Sequence, residues 1–160
     1  MRNRTLILCC GNSAAGDDAL GPMLARRLNY CLPSSIEADV REIAQPDVGI
    51  IGELERYSRL FVVDASHTGA SPGTVFRWEW SGICDRQVPV VTSSSHGVSI
   101  IDILRLAENI VSLPSTTFLA VEGAQFEVGS APSRSVQAAL EEVEWRLLSE
   151  LAQEQHPCMK

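Results

Sequence analysis

Thr5-Leu6-Ile7-Leu8-Cys9-Cys10-Gly11-Asn12-Ser13-Ala14-Ala15-Gly16-Asp17-Asp18-Ala19-Leu20-Gly21-Pro22 is the stretch on which the fold turns. It opens with a short apolar run that does not alternate, as expected of a strand covered on both faces. Gly11 ends that run. Leu20, Met23, Leu24, Leu28 and Cys31 then recur at helical spacing, so the spacing predicts a helix from about residue 18 to 31. A buried strand, a glycine-rich loop and an amphipathic helix make the first half of a βαβ unit.

The rest of the chain repeats the theme. Residues 38–43 alternate and carry β-branched side chains, as a half-buried strand does, and Val48, Ile51, Leu54 and Tyr57 mark a short second helix. Leu60-Phe61-Val62-Val63 is a second solid apolar run, expected to stop at Asp64-Ala65-Ser66. A turn-rich loop (68–73) leads to a strand expected over 74–80, and a polar stretch follows, ending in Thr92-Ser93-Ser94-Ser95-His96-Gly97. Ile100, Ile101, Leu104, Ala107 and Val111 predict a third helix, residues 116–121 a further strand, and Val136, Leu140, Val143, Leu147 and Leu151 a long last helix. Strands alternating with helices predict an α/β fold, an open, mostly parallel sheet covered on both faces. With no repeat or linker, residues 1–160 read as a single domain, with 153–160 as a frayed tail.

Composition narrows the function. At 160 residues, 45% hydrophobic and 21% charged, the chain can bury a core. A net charge of −7 without an Arg/Lys cluster argues against nucleic acid and for a protein or a cation-bearing partner. No apolar run is long enough to span a bilayer, and residues 6–10 are too short for a signal-peptide core, so a cytoplasmic location is expected. The five cysteines form no C-x-x-C pair and read as buried, reduced thiols; Cys9 and Cys10, adjacent on a strand, must point to opposite faces.

Chemistry should sit beyond the carboxyl ends of the strands, where strand order reverses. If the first and third strands are neighbours, Asp17-Asp18 and Asp64 open into one crevice, which the 93–97 loop could close. The Gly11–Gly16 spacing mimics a phosphate loop, yet Asp17-Asp18 stand where Lys-Ser/Thr would be required, and carboxylates repel phosphate. Asp18, Asp64 and His96 supply an O,O,N set suited to Ni²⁺, Zn²⁺ or Mn²⁺. The same residues also read as a helix cap, a turn residue and a loop histidine bonded to backbone. Asp64, His96 and a serine from 93–95 have the residue types of a hydrolase triad, but the nucleophile elbow is missing. A Cys–His pair is disfavoured because neither Cys9 nor Cys10 opens a helix. His67 is expected in a solvated loop beside the crevice.

Four ordered motifs resemble those of the nickel–iron hydrogenase maturation endopeptidases, particularly the type that processes the large subunit of hydrogenase 3. They are Gly11-Asn12-Ser13 with Gly16-Asp17-Asp18 and Gly21-Pro22; Val62-Val63-Asp64-Ala65 with Gly69 and Pro72-Gly73; Ser94-Ser95-His96-Gly97; and Phe118-Leu119-Ala120-Val121-Glu122 before the last helix. The resemblance implies a three-layer αβα sandwich on a mixed five-stranded sheet. It implies an endopeptidase, grouped with the aspartic type, that removes a C-terminal extension from the hydrogenase large-subunit precursor after nickel insertion. Asp18, Asp64 and His96 fall at the metal-contacting positions, with Asp18 as the catalytic residue and Asp17 a neighbour of open role. The nickel is taken to arrive with the substrate, and another divalent ion could replace it. A monomer is expected. Ala19 stands where many members have glycine, which favours the helix start by about 1 kcal/mol. Two other functions remain open: a non-catalytic nickel-binding assembly module, and an unrelated metallohydrolase.

Overall fold

A computed structural model describes residues 4–85 and 99–154. The opening run forms β1 (Thr5–Cys10), buried along its whole length, and after a 3-10 turn (Gly16–Ala19) the chain enters α1 (Leu20–Cys31). β2 (Ala38–Ile43), a 3-10 turn at Val48–Ile50 with α2 (Ile51–Leu54), and β3 (Arg59–Ser66) follow. Then come β4 (Val75–Glu79), α3 (Trp80–Asp85), α4 (Ile100–Ala107), β5 (Ser115–Glu122) and α5 (Arg134–Glu154).

The five strands form one sheet in the order β2-β1-β3-β5-β4. All neighbours are parallel except β4, which runs antiparallel to β5 at the edge. β1 and β3 are adjacent, so the condition for a shared crevice is met: the chain leaves β1 toward β2 on one side and returns to β3 on the other. Side-chain alternation sorts the core into two layers. Leu6, Leu8, Cys10, Leu60, Val62 and Phe118 pack under α2 and α4 with Ile83 of α3, while Ile7, Cys9, Phe61, Val63, Leu119 and Val121 pack under α1 and α5. Two helix layers around a mostly parallel sheet are the αβα sandwich expected, and Cys9 and Cys10 do face opposite ways.

Four expectations need correcting. β3 does not stop at Val63; Asp64, Ala65 and Ser66 continue it, paired with Ala120, Val121 and Glu122, because β5 extends equally far and Ser66 Oγ bonds Glu122. Trp80 opens α3 instead of closing β4: its indole N–H donates to Glu108 and its ring stacks on Phe118, 6.0 Å between centroids, which turns the chain over the sheet. Cys31 is exposed rather than buried. It closes α1 beyond the last core residue, Leu28, and its thiol donates to Glu144 at 3.1 Å. Helix α5 runs through Glu154, so residues 153 and 154 are helical rather than part of a tail. No helix among the described residues is long and apolar enough to cross a membrane.

Candidate active site

The candidate site lies at the carboxyl ends of β1 and β3, which are adjacent in the sheet. Gly11 follows β1 with φ +135°, and a Cβ there would come within 2.0 Å of the Asp18 carbonyl oxygen, so only glycine lets the first loop fold this tightly over the strand end. The fold-back brings the Asp18 carboxylate over the loop's start, where Oδ2 accepts the Asn12 N–H at 2.9 Å. Asn12 in turn accepts the Ala14 N–H at 2.9 Å through its own side chain.

Asp64 enters from β3. Alternation from Leu60 and Val62 points it to the face that holds Cys10 and is covered by α2 and α4. It is buried, and among the described residues its hydrogen-bonding partner is the N–H of its own neighbour Ala65, at 2.8 Å. Burial pushes its carboxyl up to about 8, the charge of Asp18 adds to the rise, and the Ala65 N–H only partly opposes it. The charge of Asp18 thus reaches the buried carboxyl of Asp64. Cys10 lies in the same field. Burial, then the charges of Asp64, Cys9 and Asp18, hold its thiol well above the ordinary range, while burial and Glu42 push Cys9 up to about 12. Neither cysteine is a thiolate nucleophile at neutral pH.

Asp17 and Glu122 belong to the loops instead. Asp17 is fully buried: Oδ2 accepts the N–H groups of Ala124 (2.6 Å) and Gln125 (3.1 Å), and Oδ1 that of Ser133 (2.5 Å). Glu122, at the end of β5, accepts from the N–H and hydroxyl of Thr68, the N–H of Gly69 and the hydroxyl of Ser66. Burial would raise its carboxyl, but these donors outweigh it and hold the group below its usual range. Sequence reading assigned Glu122 no role; the available signal was its place directly after a buried strand. His67 is exposed, its ring edge-on to Phe126 at 5.8 Å, as a solvated loop histidine would be. Ala19 is buried in the 3-10 turn, and α1 starts directly after it.

The structure thus brings Asp18 and Asp64 together. His96 lies outside the described residues, as do Ser93 to Ser95 and His156. Among the described residues no three His, Cys, Asp or Glu side chains group closely enough to hold a metal ion.

An αβα sandwich on this mixed, mostly parallel five-stranded sheet is the fold of solved hydrogenase maturation proteases. The chain superposes on the [NiFe] hydrogenase maturation protease HybD from Thermococcus kodakarensis with a TM-score of 0.77 at 20% identity, covering 92% of this chain and 99% of that one. HybD from E. coli gives 0.75 at 21% identity, covering 94% and 93%. The hydrogenase 2 maturation peptidase from Thaumarchaeota archaeon SCGC_AB-539-E09 gives 0.67 at 25%, covering 92% and 97%. In sequence, 71 residues, 44% of the chain, are 37% identical to the hydrogenase 3 maturation protease of Escherichia coli K12. The match spans 45% of that relative, less than half its length, and no family model matches the chain. The likeness to nickel–iron hydrogenase maturation endopeptidases carried by the motifs therefore holds in fold, and over that stretch in sequence.

Proposed function

We propose that the chain is a cytoplasmic endopeptidase that removes the C-terminal extension of a nickel–iron hydrogenase large-subunit precursor once nickel has been inserted. Asp18, Asp64 and His96 are the residues that contact the precursor's nickel, and Asp18 is the one most needed for cleavage. The observation that carries this reading is the pair at the ends of β1 and β3: Asp64 is buried beside Asp18, its hydrogen bond among the described residues comes from the Ala65 N–H, and its carboxyl is pushed up to about 8. Such a pair holds a proton when empty and exchanges it for a divalent cation. A site short of a closed ligand shell suits a metal that arrives on a substrate and leaves with it. The acidic net charge favours a cation-bearing partner over an anionic one.

The same pair suits the aspartic-type grouping, because two neighbouring carboxyls can divide the work of activating water and protonating the leaving amine. Incubation with nickel-loaded precursor should yield a shortened large subunit, and Asp18→Asn, Asp64→Asn and His96→Gln should each slow its appearance about 100-fold or more. Cleavage at the wild-type rate by all three variants would overturn the site. Association without shortening would identify a non-catalytic nickel-binding module, and a metal retained tightly through purification would indicate an unrelated metallohydrolase.

A further inference from the structure

We infer that Asp17 is a positioning residue for Asp18, a buried latch that fixes the first loop against the loop at 123–133; this rests on the proposed peptidase reading. The two aspartates are adjacent in one 3-10 turn, yet their side chains serve opposite ends of it. Asp17 is fully buried and gathers three backbone N–H groups from the far loop, while Asp18 returns to Asn12 above β1. The main chain adds to the seam: Asp17 N–H donates to Gln125 O (2.8 Å), Gly16 N–H to Ser130 O (3.2 Å) and Gly129 N–H to Ala14 O (2.7 Å).

A buried carboxylate is costly unless donors converge on it, and here they come from residues more than 100 positions away in sequence. That convergence sets the orientation of the peptide joining residues 17 and 18. With Asp17 anchored on one side and Gly11 closed against the Asp18 carbonyl on the other, the main chain at Asp18 is held from both sides, and its carboxylate is left where it accepts the Asn12 N–H. Asp17 touches no reacting atom in this arrangement. It acts through its neighbour, which must meet the precursor's nickel in one pose.

Two variants test this. Asp17→Asn keeps the volume but sets an NH₂ group against incoming N–H donors. Gly123→Ala leaves the charge in place and presses on the latch from the far loop, since its Cβ would sit 3.0 Å from Asp17 Cβ and 2.3 Å from the Phe126 ring. The amide signal of Asn12, which reports the bond to Asp18, should shift and lose exchange protection in both variants while amides of β1 and β3 keep theirs. kcat/KM on nickel-loaded precursor should fall about 10- to 100-fold, as for a misplaced catalytic group. The binding preference for nickel-loaded over nickel-free precursor should fall too, and Asp17→Asn should cost nothing further in an Asp18→Asn background. A role confined to stability would leave that preference and the Asn12 amide unmoved, and such a result overturns the inference. So would free exchange of the Ala124, Gln125 and Ser133 amides in the wild-type protein, a measurement that stands even where both variants unfold. If the wild type neither cleaves nor prefers the nickel form, the peptidase reading fails, and the Asn12 amide alone decides whether Asp17 positions Asp18.

Discussion

Asp17, Glu122, Asp18 and Asp64 all stand near the carboxyl end of the sheet, and they divide into two pairs that differ in what surrounds them. Asp17 and Glu122 are enclosed by donors: three N–H groups for the first, and two N–H groups with two hydroxyls for the second. Among the described residues Asp64 draws one N–H, from the residue beside it, and it sits in the field of Asp18. The first pair is met by converging donors and stitches loops together. The second pair is set by burial and by the nearness of two acids, which raises the carboxyl of Asp64 and suits a proton or a cation between them. Place at the strand ends does not separate the pairs, but the neighbours that folding brings to each acid do.

Substitutions can break this division, and the largest effect should fall on activity. Asp18→Asn is expected to lower precursor cleavage by two orders of magnitude or more while leaving thermal stability nearly unchanged, as read by a gel-shift assay beside a melting curve. Asp17→Ala should do the reverse first: three N–H donors lose their acceptor in a buried site, and urea denaturation should show a loss of about 3–5 kcal/mol. Asp64→Asn should stabilise the cation-free protein by about 1–3 kcal/mol at pH 8. The sign follows from its raised carboxyl. Between the unfolded value near 4 and the folded value of about 8 the native state binds the extra proton, so wild-type stability falls as pH rises through that window. The variant should lack the slope, and a slope equal to wild type would show that Asp64 is not the buried acid described here.

Cation binding sharpens the same point, because a divalent ion must displace that proton. Affinity for added Ni²⁺ should rise with pH up to about 8, with proton release detectable in calorimetry buffers of different ionisation enthalpy. Glu122→Gln should have the smallest effect, about 1–2 kcal/mol. Its carboxyl is held low, so its contribution is complete above the unfolded value and disappears as pH falls through the lower folded one. Acid unfolding of the wild type should therefore be steeper than that of the variant.

Much of this was legible in the chain. The unbroken apolar runs at 6–10 and 60–63 announced central strands because parallel strands are covered on both faces, and the period of Leu20, Leu24 and Leu28 announced the helix between them. The tryptophan at 80 misled, since a bulky aromatic suits a strand by propensity, and only its stacking on Phe118 and its bond to Glu108 show that the chain turns there. The end of β3 was equally hidden: Asp64 and Ser66 look like turn residues until β5 is seen to pair with them.

Sequence by itself determined the αβα layering, the strand ends where chemistry gathers, and Asp18 and Asp64 as candidate residues, because periodicity and polarity are properties of short segments. Only the tertiary structure decided which donors and charges surround each acid. Asp17 and Asp18 are neighbours of the same type, indistinguishable by pattern. Their difference comes from Ala124, Gln125 and Ser133 converging on one and Asn12 and Asp64 adjoining the other. A carboxylate's role is set by the donors and charges around it in space, and those are brought together by folding across more than 100 residues of chain.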